Sequence, residues 1–322
     1  MEIGVIISLG LYFALMLAIG LFAYRNSEAN VEGYLLGGRQ LSPAVTALSA
    51  GASDMSGWML MGLPGAMYIS GMSAAWIGIG LVIGAWCNYK FVAPRLRSYT
   101  EVANNAITIP DYFAERFVDK SNLLRIISAI VIILFFTLYT SSGVVAGGKL
   151  FESSFGFDYT IGVFVTAGVV VAYTLFGGFM AVSLTDFVQG CIMFIALILV
   201  PTVVIFDLGG ITATINTVNA IDTNFFSLFT AVGSTESISL IAIISLMAWG
   251  LGYFGQPHII VRFMALRSVK DMPTARRIGM SWMIIALIGA LTTGLFGMAY
   301  ANANNINVDD PETIFIVLSQ LV

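Results

Sequence analysis

Residues 49–65 read SAGASDMSGWMLMGLPG. They lie inside an apolar segment long enough to cross a membrane, yet Asp54 sits at their centre among serines and glycines. A carboxylate at the bilayer centre costs ~2.5–3.5 kcal/mol on insertion scales, so an acid there marks a functional site by default. Glycine weakens a helix. Backbone polar groups freed at membrane depth are tolerated only where they are buried in protein or line a cavity. The stretch therefore reads as an interrupted membrane helix.

A second stretch of the same kind is WGLGYFGQPH, residues 249–258. Gly250, Gly252, Gly255 and Pro257 fall within it, and Pro257 removes a backbone hydrogen bond. Two interrupted helices at corresponding positions of two halves are the sequence pointer to a transporter's central site. The spacing fits a five-plus-five inverted repeat. Residues 1–41 form an extra N-terminal helix and loop, 42–206 the first repeat, 207–238 an outer loop, and 239–322 the start of a second, incomplete repeat.

The rest of the chain agrees with a polytopic all-α membrane protein. Its residues are 58% hydrophobic and 10% charged, with a mean hydropathy of +0.91, where a soluble domain carries about 25% charge. Eight spans are predicted: 4–24, 42–68, 73–94, 126–148, 160–179, 187–206, 239–260 and 280–300. The first is no signal peptide, because Arg25 follows the apolar run and the run is too long. The segments 25–41, 88–125 and 262–279 fall on one side of this map and hold 13 of the 14 Lys and Arg residues. Basic loops mark the cytoplasmic face, which puts the N-terminus outside, in the plasma membrane. The net charge of −4 averages two unlike faces and implies no nucleic-acid partner. The segment 88–125 reads as a loop with one or two interfacial helices, Pro110 near the start of one. The pair Gly80 and Gly84, four apart, reads as close helix packing.

Cys87 and Cys191 read as packing residues, and the single histidine, His258, as a helix-end or packing residue. No nucleophile–base pair, phosphate loop or metal cluster is visible, so no enzyme and no organic cofactor is expected. A membrane enzyme would want paired acids. A channel would spread its polarity over several helices, and a solute sensor would need a signalling domain.

Unwinding exposes carbonyl oxygens that can replace the water of a hard monovalent cation. The carbonyls of Ala52 and Met55, the Asp54 carboxylate and the serine hydroxyls could supply such ligands. Asp54 could instead cap the broken helix or pair with a base. Ser56 and Trp58 fall just beyond the break. Trp249 and Tyr253, four apart, share a helix face and could wall a small solute or simply pack. Tyr139 lies in a polar patch, LYTSSG. Asp186 opens a span, where the helix dipole favours an acid, or lines an ion path.

At these residues the chain resembles the sodium:solute symporter family, and within it most closely the sodium/proline symporters. The stretches that carry the likeness are GYLLGGRQLSPAVTALSAGASDMSGWMLMGLPGA, PDYFAERF, LRIISAIVIILFFTLYTSSGVVAGGKLFES, FGGFMAVSLTDFVQG and ISLMAWGLGYFGQPHIIVRFMA. The likeness runs over essentially the whole chain. It implies a LeuT-like fold and sodium-coupled import of L-proline. It implies sodium at the first break, held by Ala52, Asp54, Met55 and Ser56, and Ser56, Gly57 and Trp58 at the sodium and proline sites. It further implies a proline pocket shaped by Tyr139, Trp249, Tyr253 and Pro257, with Asp186 affecting sodium dependence and Arg39 coupling. Pantothenate, a sugar or a short carboxylate are alternative solutes.

Residues 72–76, MSAAW, lack the acid that close relatives carry before the tryptophan. The serine and threonine hydroxyls that complete the family's sodium site come from a later helix. The chain ends on IFIVLSQLV, the opening of another apolar segment, and reads as roughly the first two thirds of a longer protein.

Overall fold

The structure, a computed structural model, describes residues 3–26 and 30–321. It is helical almost throughout. Helix α1 spans Ile3–Asn26 and the short α2 spans Val31–Leu36, begun by an Asn30 cap. Next come α3 (Pro43–Leu60), α4 (Gly62–Ser70) and α5 (Ala75–Cys87). A wide turn at Asn88–Val92 leads into α6 (Ala93–Val102), followed by α7 (Ile109–Arg116). Helices α8 (Leu123–Phe155) and α9 (Tyr159–Asp207) are the long ones of the first half. They are followed by α10 (Ile211–Ile221) and α11 (Leu240–Met247), which tightens into a 3₁₀ stretch at Ala248–Phe254. Last are α12 (Pro257–Met264), α13 (Met272–Ala303) and α14 (Ile314–Ser319).

Among the described residues, five helical stretches are long and apolar enough to cross a membrane, and the pair Leu240–Phe254 with Pro257–Met264, bent by 42°, makes a sixth. The sequence predicts eight, and the difference has two physical causes. The predicted spans 160–179 and 187–206 lie in one helical run, α9, whose loop is reduced to a single residue. Gly178 turns the chain with φ 55° and ψ −151°, a conformation essentially reserved for glycine. Helix α3 is not among these stretches because Asp54, its serines and its glycines dilute its apolar character, and the apolar stretch begins only at Gly62. The segment 207–238 also departs from the expected loop, since 211–221 is helical, with Thr214 and Val218, one turn apart, buried.

The chain divides into two compact units. One comprises Met1–Asp54, Asn88–Gly190 and Gly255–Gly279; the other comprises Met55–Cys87, Cys191–Phe254 and Met280–Val322. Every Lys and Arg of the sequence belongs to the first, and the second holds six acids (Asp207, Asp222, Glu236, Asp309, Asp310 and Glu312) and no base.

In the first unit, the chain entering α3 pairs with the chain leaving α12. Leu41 donates its N–H to the Ala265 carbonyl at 3.1 Å and accepts from Arg267 N–H at 3.0 Å. This parallel bridge joins the ends of the two interrupted helices that lie away from their breaks. In the second unit, backbones approach where side chains are absent. A Cβ on Gly80 would lie 2.3 Å from the Met247 carbonyl oxygen, and one on Gly84 would lie 2.1 Å from that of Gly250. The pair read as close helix packing therefore seats α5 against the 3₁₀ stretch.

Candidate ion and solute site

Helix α3 is interrupted at Ser56, with φ 38° and ψ −148°. A side chain in this region is strained by ~1–3 kcal/mol and persists only where surrounding structure imposes it. The turn falls two residues after the partly buried Asp54 and directly after Met55, which is buried. Ala52 and Gly57 are partly buried and Ser56 is exposed. One helical turn before Gly57, the Ser53 carbonyl accepts a hydrogen bond from the Tyr139 hydroxyl of α8 at 2.9 Å. Tyr139 thus reaches the backbone at the break.

Beneath the break lies a buried charged cluster. Ser49 and Ser53, four apart on one face of α3, donate to Asp186 Oδ2 of α9 at 2.7 and 3.4 Å. Arg262 of α12 lies 2.8 Å from the same oxygen, and it donates to Ser49 Oγ at 3.0 Å and Ser53 Oγ at 2.7 Å. It also bonds the His258 carbonyl and lies over the Phe179 ring at 5.5 Å. Asp186 is thus bound to a guanidinium and two hydroxyls, more than the dipole reading of an acid at a helix start requires.

Pro257 occupies the first turn of α12, where its missing N–H costs nothing. The next residue, His258, packs tilted against Phe136 and Tyr139 with ring centroids 5.1 and 4.9 Å away. This agrees with its reading as a packing residue.

Arg39 is buried and carries φ 53°. Its guanidinium meets Glu32 at 3.3 Å, Thr100 Oγ1 at 3.1 Å, Asn105 Oδ1 at 3.0 Å, and the carbonyls of Met264 and Ala106 at 2.9 and 3.0 Å. Burial, and to a lesser degree Arg97, pulls its pKa down from the usual arginine value. Arg39 ties α2 and the loop after α6 to the end of α12.

In the second unit, Trp58 stacks on Trp249 with ring centroids 5.3 Å apart and 25° between planes. Trp249 is 53% exposed and Tyr253 only 5%. The expectation that these two share a helix face fails. Residues 248–254 form a 3₁₀ helix, in which positions i and i+3 eclipse and i+4 turns away.

The structure thus brings Tyr139 to the break and Trp249 to Trp58. Sequence reasoning missed Ser49, Ser53 and Arg262. Arg262 was counted among the basic loop residues that set orientation. A charged residue so close to an apolar span is itself a signal, and the i, i+4 serines before Asp54 are another.

The sodium:solute symporter family profile matches residues 34–320. The chain belongs to the sodium:solute symporter family. It is 58% identical over 322 residues to the osmoregulated proline transporter OpuE of Bacillus subtilis (strain 168), covering 100% of this chain and 64% of that protein. It is 59% identical over 307 residues to the high-affinity proline transporter PutP of the same organism, covering 95% and 63%. To a sodium/proline symporter of Staphylococcus aureus (strain COL) it is 54% identical over 316 residues, covering 98% and 60%. The chain therefore spans 60–64% of the length of these relatives. A solved structure of a Na+-coupled sialic acid symporter in a substrate-bound, outward-open state superposes with a TM-score of 0.80 at 17% identity, covering 96% of this chain and 65% of that one. The family member thus has the all-α, LeuT-like fold expected from its sequence.

Proposed function

We propose that the protein carrying this chain imports L-proline across the plasma membrane together with sodium, by alternating access. The observation that carries this reading is the strained break at Ser56 beside Asp54, in a chain more than half identical to proteins named as proline transporters. Sodium would be held by the carbonyls of Ala52 and Met55, the Asp54 carboxylate and the Ser56 hydroxyl. A hard cation prefers such oxygen donors to nitrogen or sulfur. The stacked Trp58 and Trp249 would offer the solute an apolar wall, with Ser56, Gly57 and Tyr253 on the same unit. Tyr139 and Pro257 take the pocket role that the family resemblance implies. Arg39 and Asp186 would couple ion binding to closure. The basic loops would face the cytoplasm and the N-terminus the outside. Residues 42–206 would be the first repeat and 239–322 the opening of the second.

The energetics suffice. One inward charge at ~100 mV contributes ~2.3 kcal/mol, and a tenfold sodium gradient adds ~1.4 kcal/mol. Together they support accumulation of several hundred-fold.

The test is uptake of labelled L-proline into proteoliposomes by the full-length protein, with and without an inward sodium gradient, beside Asp54→Ala. Sodium-driven uptake that the substitution abolishes is the expected result. Proline uptake indifferent to sodium and to Asp54 would refute the coupling. Sodium-driven uptake of another solute in place of proline would keep the ion site and replace the substrate.

A further inference from the structure

The segment 109–125 carries a surface that the transport reading does not use. Helix α7 buries Ile109 and Ala114 and turns its other side outward. Its acids are all engaged. Arg125, in the first turn of α8, lies 3.0 Å from Asp111 and 3.9 Å from Glu115. Asp119 accepts the Ser121 and Leu124 N–H groups at 2.9 and 2.7 Å, together with the Ser121 hydroxyl, and these bonds hold its carboxyl below the usual range.

Two bases in the same stretch are left over. Arg116 and Lys120 are exposed, and among the described residues no acid lies within ion-pair distance of either. Arg116 is held by aromatic rings instead. Its guanidinium carbon lies 4.6 Å from the Tyr99 ring centroid, 5.8 Å from Tyr112 and 5.9 Å from Phe117, and one nitrogen donates to the Tyr112 hydroxyl at 2.9 Å. The planar fork is therefore oriented while most of its donors stay open. Beside it Phe117 is 63% exposed and Val118 is 74% exposed.

Exposed apolar side chains next to unopposed bases are costly in water but match the boundary of a bilayer. The position agrees. Through Arg125, α7 is pinned to the first turn of α8, a candidate membrane span whose Ile126, Ile130 and Ile133 are exposed. Phe117 and Val118 thus lie just ahead of the first turn of a candidate span, where a chain entering a bilayer would meet lipid headgroups.

We propose that Arg116, caged by Tyr99, Tyr112 and Phe117, and Lys120 form a binding site for the phosphate of an anionic phospholipid, whose acyl chains run along α8. Arg116 would grip the phosphate with paired N–H donors, Lys120 would add a second charge, and Phe117 and Val118 would insert among the first methylenes.

The test is native mass spectrometry of the full-length protein released from micelles containing equal dioleoyl-phosphatidylglycerol and dioleoyl-phosphatidylcholine. The parent protein should retain phosphatidylglycerol several-fold over phosphatidylcholine. The double variant Arg116→Gln/Lys120→Gln should lower that preference at least threefold. Lys90→Gln/Arg95→Gln, which removes the same charge from exposed positions elsewhere, should leave it in place. All four side chains are exposed, so a folded variant is expected, and Lys120→Gln alone should give a smaller loss in the same direction. Equal retention by the parent and the Arg116/Lys120 variant would overturn the proposal, as would equal loss in the Lys90/Arg95 variant. Displacement of the lipid by millimolar inorganic phosphate would also overturn it and make the site one for a free anion.

Discussion

Nη2 of Arg262 and Oδ2 of Asp186 lie 2.8 Å apart, with side-chain exposures of 6% and 11%. Removing one partner of a buried pair leaves an uncompensated charge and costs about 3–5 kcal/mol, whereas removing both is far milder. Asp186→Asn and Arg262→Gln should each lower the thermal unfolding temperature of the full-length protein in detergent. The double variant should be clearly more stable than the sum of the two losses predicts. Strict additivity in this cycle would show that the two groups do not act as a pair.

That pair also marks the limit of what the sequence discloses. The break was legible because an acid among glycines and serines violates the composition of a membrane helix. The second interruption was legible from Pro257 and its glycines. What joins them was not. Asp186 and Arg262 are 76 residues apart, and no local pattern links them. Arg262, read as one more basic loop residue, served to set orientation and was lost as a site. The shared face of Trp249 and Tyr253 was inferred from α-helical spacing, and the tighter 3₁₀ winding cancelled it. The turn at Gly178 was expected as a loop of several residues because sequence gives no sign that one glycine's dihedrals suffice.

Glycines in α5 are not equivalent. A Cβ on Gly84 would sit 2.1 Å from the Gly250 carbonyl oxygen, and backbone cannot move aside as a side chain can. Gly84→Ala should therefore cost at least the ~1–3 kcal/mol of an overpacked core. A Cβ on Gly78 meets only the side-chain methyls Leu287 Cδ2 at 3.6 Å and Leu291 Cδ1 at 4.0 Å, ordinary contacts. Gly78→Ala should be neutral, or stabilising by up to ~1 kcal/mol through helix propensity. Thermal unfolding of the two variants side by side checks the contrast. Equal behaviour would mean that α5 and the 3₁₀ stretch are not in backbone contact.

In the segment 207–238, Asp222 accepts the Asn224 and Gly233 N–H groups, both at 2.8 Å. These bonds hold its carboxyl below the usual aspartate range. A lowered folded-state pKa means the contribution is present above the unfolded value, near pH 4, and is lost as pH falls through the lower folded value. Amide exchange protection at Asn224 and Gly233 should therefore persist from neutral pH past about 4 and be lost only as pH falls through the lower folded-state value. Asp222→Asn should show reduced protection already at neutral pH. Protection unchanged by acid and by the substitution would place the restraint elsewhere in the loop.

Ser56 separates stability from function. Its φ of 38° and ψ of −148° suit glycine rather than serine. Ser56→Gly should relieve ~1 kcal/mol or more of backbone strain, partly offset because glycine also frees the unfolded chain. Thermal stability of the full-length protein should thus be unchanged or raised. If the hydroxyl is a sodium ligand, as proposed, the same variant should need several-fold more sodium for half-maximal proline uptake, with no loss of folded protein. A residue that merely shapes the turn gives the opposite pattern, with stability raised and sodium dependence untouched. Measuring unfolding and the sodium titration on one preparation separates the two, because only a ligand couples the loss of a hydroxyl to the ion while the backbone relaxes.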